Sequence, residues 1–536
     1  MPERRLVGRS AAPGLARGVI RVLGVPRHSE TPAGTPREEH AALQAAIATA
    51  MAELEALQST LTGDAADMLA FQAAMLGDEE LVRPALARIE AGASATAAWG
   101  AAMAAEIAGY ASAEDENFAA RSADLQDIRD RVLAHLAPPA ESAPIAGNAV
   151  IAARDLPLSR FLAIDWAAGG AIVLTEGSPA GHVAMLARAR GVPMVVGVGG
   201  SLDALEGREV LVDAAAGEVV LDPGDASRRK FSVRSGAEAA EAAEHAAFRL
   251  IPARTADGTR IAVCLNIASV AELDGLEPSI CDGIGLVRTE LLFHGPGGLP
   301  DEATQVAAYR RIAEWAEGLP VVIRTLDAGG DKPIPGITVD GESNPFLGLR
   351  GLRLSLRRPR LFLTQLRALA RAAAFGEVRV MLPMVTAPAE FEATRRLLDT
   401  ALAALESEGA ACRRPKLGIM VEVPAAAIAI EEFEADFFSI GSNDLTQYVT
   451  ASGRDIAAVA ELADPRSTAV LRLIAHVARH GRERGLDVSL CGDAAADPAL
   501  VGPLLRAGLR SLSVAPAAVG AVKRAIAAVD LREATT

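Results

Sequence analysis

The sequence predicts a multidomain α/β protein, an α/β domain interrupted by a helical bundle and followed by a TIM (β/α)8 barrel. Three observations predict this. At 536 residues the chain is too long for one ordinary domain. Half of the residues are apolar but only 4% are aromatic, and alanine, leucine and valine carry that apolar content, which suits helices and α/β layers better than a β-sandwich. Finally, short β-like runs alternate with helical spacers through the second half, the rhythm of a (β/α)8 barrel.

Each element follows in chain order. Leu6 to Val25 reads as short β-type runs, clearest from Gly18 to Gly24, broken by Gly and Pro. A boundary falls near Pro32 to Pro36. From Arg37 to about Leu136, alanine and leucine recur at three- and four-residue spacing, which predicts a bundle of roughly four helices, with Pro84 near a helix start. After Pro138 to Pro144 the β signal returns at Ala149, Ala171 to Leu174, Pro193 to Gly197 and Val210 to Asp213, with a helix over Val183 to Arg190. Residues 1–32 and 145–225 are therefore one α/β domain, and 33–144 is a helical insert. Ala237 to Leu250 is an amphipathic alanine- and glutamate-rich stretch, flanked by polar Ser227 to Ser235 and by Pro252. It is the core of a helical linker, residues 226–254.

The barrel, residues 255–536, is read from eight runs: Ile261 to Leu265, Gly283 to Leu286, Val321 to Arg324, Val378 to Leu382, Leu417 to Val421, Phe437 to Ile440, Val488 to Leu490 and Ser511 to Val514. An open doubly wound sheet would alternate in the same way. The polar residues favour a barrel, because Arg288, Glu290, Arg324, Asp327, Glu422, Asn443, Asp444 and Cys491 all fall at or after the ends of these runs. Only the carboxyl-terminal rim of a barrel brings so many strand ends to one pocket.

Composition excludes several classes. A net charge of −15 argues against a nucleic-acid surface and leaves room for a basic protein partner. The four cysteines (Cys264, Cys281, Cys412, Cys491) lack CxxC spacing, so neither a disulfide framework nor a zinc site is indicated. No apolar stretch is long enough to span a bilayer, and the start, MPERRLVGRS, lacks the apolar core of a signal peptide. A cytoplasmic location is expected.

Arg288, Arg324, Lys332, Arg350 and Arg454 would form a cationic rim in an otherwise acidic chain. Such a rim fits a small polyanion carrying both carboxylate and phosphate. Glu422 and Asp444 end neighbouring strands; they are either Mg²⁺ ligands or buried carboxylates paired with the arginines. Cys491 would by default be a core cysteine, yet its place at a strand end suits proton transfer. A second constellation runs from Thr175 through Gly177, Ser178 and Pro179 to His182, which opens a helix where an anion is favoured. His182 reads as a phosphoryl-accepting nucleophile; the other seven histidines read as ordinary residues.

These motifs resemble those of enzyme I of the bacterial phosphoenolpyruvate-dependent sugar phosphotransferase system. The matching stretches are Ala12 to Ala16, the His182 segment, Asp282 to Glu290, Arg324 to Lys332, Asn344 to Arg350, Gly418 to Pro424, Phe438 to Tyr448 and Cys491 to Asp493. The resemblance implies a swivelling phosphohistidine domain with His182 as the phosphorylated residue. Arg288, Arg324, Lys332, Arg350, Asn443 and Arg454 would hold phosphoenolpyruvate, Glu422 and Asp444 would hold Mg²⁺, and Cys491 would protonate the enolate to release pyruvate. It implies also that the helical insert binds the phosphocarrier protein HPr, where acidic Asp78, Glu79, Glu80 and Glu114 to Glu116 would meet a basic surface, and that the barrel makes a homodimer. The chain departs from the family in having Ala180-Gly181 before the histidine instead of Thr-Ser, and Asp493 where glutamate is usual. It also has no histidine near Phe71 to Ala74. A phosphoenolpyruvate synthase or pyruvate phosphate dikinase would need an ATP-binding domain that the insert is too small to be. A regulator that binds phosphoenolpyruvate without turnover is the other reading.

Overall fold

The computed structural model describes residues 3–23, 34–59, 69, 72–111, 116–137, 149–166, 169–179, 181–199, 205–293, 299–330, 332, 334, 336–339, 341–453, 456 and 458–532. It divides into two compact units, residues 1–238 and 239–536.

The first unit is built on an eight-stranded sheet. Its strands are β1 (Arg4–Val7), β2 (Arg9–Ala12), β3 (Leu15–Val22), β4 (Val150–Ala153), β5 (Ala171–Leu174), β6 (Met194–Val196), β7 (Glu209–Asp213) and β8 (Glu218–Leu221), in the order β1-β8-β7-β3-β4-β5-β6-β2. The segment β3-β4-β5-β6 is parallel. Successive residues of a strand face opposite sides, so β4 and β5 feed two cores: Val150, Ala152, Ala171 and Val173 line one, and Ile151, Ala153, Ile172 and Leu174 line the other. The helix His182–Arg190 crosses from β5 to β6 and packs Ala184 and Ala187 on that second face.

Between β3 and β4 stand the helices Pro36–Ser59, Glu79–Glu90, Ala95–Ala111 and Glu116–Leu136. Leu43, Leu54, Trp99, Leu125 and Val132 make their common core. Pro84 lies inside its helix, not at the start, and the helix begins instead on Asp78, whose side chain accepts from the Glu80 amide at 2.9 Å. That acidic residue thus serves as a helix cap, while Glu79 and Glu80 stay exposed. Glu114 and Phe71 fall outside the described residues, as does the side chain of Glu116.

The second unit contains a closed parallel barrel. Its strands are β9 (Ala262–Ile267), β10 (Ile284–Val287), β11 (Val321–Arg324), β12 (Val378–Leu382), β13 (Lys416–Val421), β14 (Phe437–Ile440), β15 (Asp487–Leu490) and β16 (Ser511–Val514), and β16 pairs back to β9. The open-sheet alternative is thereby excluded. Outward-facing residues such as Ile323, Val380, Ile419 and Ile440 form one core with the surrounding helices. Leu286, Val322, Met381, Met420, Phe437 and Cys491 fill the interior.

The connection between the units is one helix, Asp225–Arg249. It starts well before the amphipathic stretch and takes in the polar Ser227 to Ser235. Its first half pairs with its own unit: Arg228 reaches Glu209 at 2.7 Å, and Arg234 pairs with Asp213. Its last turns pair with the helix Val519–Ala527 of the barrel. Arg524 meets Glu244 at 2.9 Å, and the buried Lys523 donates to the carbonyls of Arg249 and Ile280, each at 2.8 Å. Residues 236–240, between the two sets, are exposed.

Candidate active site at the barrel mouth

The polar residues expected at the strand ends do gather at the carboxyl-terminal rim, and a fully buried carboxylate, Asp327, organises them. It lies three residues beyond β11 and contacts three cations. Arg324 Nη1 is 3.1 Å from Oδ2, Arg350 Nη2 is 3.0 Å, and Lys332 Nζ is 3.4 Å. Burial alone would discharge this carboxyl, but Arg324, Arg350 and Lys332 outweigh burial and hold it well below the usual carboxylate range. The backbone permits the approach because Gly329 adopts φ +108°, and a Cβ there would lie 2.6 Å from Arg350 Cβ.

Behind this hub lies a network of buried hydrogen bonds. Glu290 Oε2 lies 3.1 Å from Arg324 Nη2, and its Oε1 accepts from the Asp327 amide at 3.1 Å. Gln365 accepts from the Leu326 amide at 3.0 Å and donates to the Tyr309 hydroxyl at 3.2 Å. Thr289 donates to the Arg324 carbonyl at 3.0 Å. The result is a bonded loop whose two arginines, Arg324 and Arg350, are held away from solvent. Even so, Arg324 Nε is buried and has no hydrogen-bond partner among the described residues. An unpaired buried donor of this kind is costly in isolation and is what an anionic ligand would satisfy.

The metal candidates meet across β13 and β14. Glu422 is 1% exposed and Asp444 is 7% exposed. Glu422 Oε1 accepts from the Met384 amide at 2.7 Å, and Asp444 Oδ2 accepts from Arg350 Nη2 at 3.3 Å. Burial, reinforced by the negative charges of Asp444 and Asp327, raises the Glu422 carboxyl above its ordinary range. Asp444 touches Arg350, whereas Glu422 faces a like charge that a cation would relieve. Gly441 leaves the necessary room, since a Cβ there would come within 2.8 Å of Glu422 Oε2.

Asn443 is clasped by Asp493, donating to Oδ2 at 2.9 Å and accepting from its amide at 2.9 Å. The shorter acid at 493 therefore still reaches the start of the helix Ser442–Thr450. Cys491 is 3% exposed, with its thiol 3.6 Å from the Ile440 carbonyl. Burial pushes the thiol's pKa up, against the opposing bond from Ser439, so the group is a protonated thiol at neutral pH. Arg288 follows β10 directly and lies close enough to act electrostatically on that thiol. The Lys332 ammonium reaches Asp327, and the Lys332 backbone pairs with Gly329. Arg454 falls outside the described residues.

In the first unit, His182 opens its helix after Gly181, and Gly191 closes it in the left-handed conformation at φ +66°. Arg188 ties the preceding turn by donating to the Pro179 carbonyl at 2.8 Å. Ala180 and the side chain of His182 lie outside the described set. Sequence reasoning placed Asp327 only as a polar strand-end residue and did not single out Gln365, Tyr309 or Ser439. Their signal is weak because each looks like an ordinary core or loop position.

A barrel whose rim gathers buried arginines around one acid, in a chain that also carries a histidine at a helix start, defines an enzyme of phosphoryl transfer. Three family descriptions of PEP-utilising enzymes match: the N-terminal domain over residues 7–121, the mobile domain over 145–217 and the PEP-binding domain over 242–531. A phosphoenolpyruvate-protein phosphotransferase of Haloferax volcanii is 41% identical over 423 residues, covering 77% of this chain and 73% of that protein. One from Latilactobacillus sakei is 37% identical over 421 residues, covering 77% and 73%. A multiphosphoryl transfer protein of Rhodobacter capsulatus is 38% identical over 451 residues, covering 83% of this chain and 54% of that protein. The chain belongs to the phosphoenolpyruvate-protein phosphotransferase family of PEP-utilising enzymes.

Proposed function

We propose that the chain takes the phosphoryl group of phosphoenolpyruvate onto His182, releases pyruvate, and passes the group to a histidine of an HPr-like carrier as the first step of sugar uptake. The observation that carries this reading is the Asp327 hub, which fixes Arg324, Arg350 and Lys332 at one mouth while leaving Arg324 Nε free for an anion. Arg288, Arg324, Lys332, Arg350, Asn443 and Arg454 bind the substrate in this reading. The arginine forks grip its carboxylate and phosphate and spread the charge that develops as the phosphoryl group departs. Glu422 and Asp444 would hold Mg²⁺, which supplies charge neutralisation on the phosphoryl oxygens when bound. The Cys491 thiol gives its proton to the methylene carbon of the enolate, making pyruvate, and burial keeps that proton on the sulfur until it is needed.

Loading and unloading require the histidine to visit two places, so residues 1–32 with 145–225 act as a swivelling domain and the linker 226–254 carries the motion. The insert 33–144 is the carrier-binding domain, with Glu79 and Glu80 as exposed acids for a basic partner. The barrel region 255–536 also exposes Leu347, Ile428 and Leu462, apolar surface that a homodimer would bury. No helix among the described residues is long and apolar enough to cross a membrane, and with four free cysteines a cytoplasmic site of action is the natural setting. Exchange of carbon label between pyruvate and phosphoenolpyruvate tests the barrel's part. It should require Mg²⁺ and be lost in Arg324→Ala; exchange that persists after chelation, or in that variant, overturns the assignment.

A further inference from the structure

A proton donor sealed beneath its substrate needs a way to recover its proton. The Cys491 thiol is 3% exposed, and a ligand at the barrel mouth would close it further. The interior below it holds a short polar file. Phe437 and Cys491 belong to the interior layer, whereas Phe438, Ile440 and Leu490 face the outer core. By the two-residue period of strands, Ser439 and Ser489 therefore point into the barrel. They are register partners on β14 and β15, and Ser489 Oγ donates to Ser439 Oγ at 3.0 Å. Ser439 faces the same interior as Cys491 from the neighbouring strand and lies near enough to its thiol to oppose the rise in its pKa, while the thiol itself is 3.6 Å from the Ile440 carbonyl. Ser439 is fully buried, but Ser489 is partly exposed. Two residues toward the amino-terminal end of the same strand, Asp487 is 74% exposed and pairs with Arg379 at 2.8 Å. The file thus runs from the thiol toward the end of the barrel opposite the substrate mouth.

We propose that Ser439 and Ser489 relay a solvent proton through the barrel interior to the Cys491 sulfur. The proposal rests on the reading of Cys491 as the proton donor. As the S–H bond breaks and the carbon–hydrogen bond of pyruvate forms, the thiolate takes the Ser439 proton. Ser439 takes the proton of Ser489, and Ser489 is refilled from water. The net change is one water-derived proton delivered to carbon, with no change of oxidation state. In reverse, a proton lifted from the methyl group of pyruvate leaves for solvent by the same route. The two serines are positioning residues, since neither touches the reacting carbon.

The test uses the full chain with Mg²⁺, phosphoenolpyruvate and carbon-labelled pyruvate in heavy water. It reads the ratio of deuterium entering the methyl group to carbon label entering phosphoenolpyruvate, after subtracting uncatalysed enolisation. A working relay makes deuterium entry keep pace with carbon exchange in the parent, and the ratio falls at least about tenfold in Ser439→Ala and in Ser489→Ala, in line with a positioned proton-transfer group. A serine that only supports packing would slow both processes together and leave the ratio where it was. An unchanged ratio in both variants, or a parent that exchanges carbon without taking up deuterium, overturns the relay. Cys491→Ala separates the underlying reading: if it keeps parental deuterium entry, Cys491 is not the donor and the reading itself is wrong.

Discussion

The barrel mouth and the His182 segment, complementary in the proposed reaction, are built in opposite ways. At the mouth, Arg324, Arg350, Asp327 and Glu290 are buried and bonded to one another, and Glu422 is buried beside them after β13. In the first unit, a nine-residue helix follows a glycine N-cap with no side-chain cap bond. The difference teaches where preorganisation is needed. Gripping a small polyanion requires charges that cannot relax, and that demands a rigid, low-dielectric frame. In the proposed reaction the acceptor travels between two partners, and it sits at the start of that short helix.

Breaking the frame should have the largest effect. Asp327→Asn leaves three cations without their shared counter-charge, and loss of one partner of a buried pair costs about 3–5 kcal/mol. Phosphoenolpyruvate binding, read by calorimetry, should fall by roughly a hundredfold or more, given about 1.4 kcal/mol per factor of ten. Retained affinity would show that the hub is dispensable. Next, Gly441→Ala drives a methyl group into Glu422 Oε2. The Mg²⁺ concentration needed for half-maximal carbon exchange should rise by about tenfold, as when groups supporting a metal site are lost, with less change in affinity for phosphoenolpyruvate. Asp493→Ala removes the side-chain hydrogen bond on Asn443, which contributes on the order of 1 kcal/mol, and leaves the one donated by the 493 amide. Its rate loss should be several-fold and partly restored by Asp493→Glu, the family's usual residue.

The smallest effect concerns the link between the two regions. Gly236 lies in the exposed middle of the helix Asp225–Arg249, and a Cβ there would meet nothing within 4 Å. Gly236→Ala should stabilise that helix by about 1 kcal/mol and slow phosphoryl delivery to His182 a few-fold, while binding of phosphoenolpyruvate to the barrel stays unchanged. Equal slowing of binding and delivery would show that this stretch does not carry the motion.

The barrel was the more legible region. Strands buried on both faces read as continuous apolar runs, and all eight were placed to within two residues. Polar residues that end such runs, Arg288, Arg324, Glu422 and Cys491, stand out against them. Other features left no local trace. β8 is four residues long, follows an alanine-rich turn and becomes a strand only by pairing with β7 and β1. The linker helix begins in a polar stretch because its first half is held by ion pairs to β7 rather than by an apolar face. The central place of Asp327 was invisible because Arg324, Lys332 and Arg350 converge on it only when the rim closes. The Ser439 and Ser489 pair depends on strand register, which no spacing along the chain reveals.

The central claim is that the phosphoryl group passes through His182. Its most direct test is incubation with phosphorus-labelled phosphoenolpyruvate and Mg²⁺, comparing the parent with His182→Ala and following protein-bound label that is acid-labile and base-stable. The account predicts label on the parent and none on the variant. Label on both, or on neither while phosphoenolpyruvate still binds, would contradict it, and in the second case the chain would be a sensor of phosphoenolpyruvate rather than a carrier of its phosphoryl group.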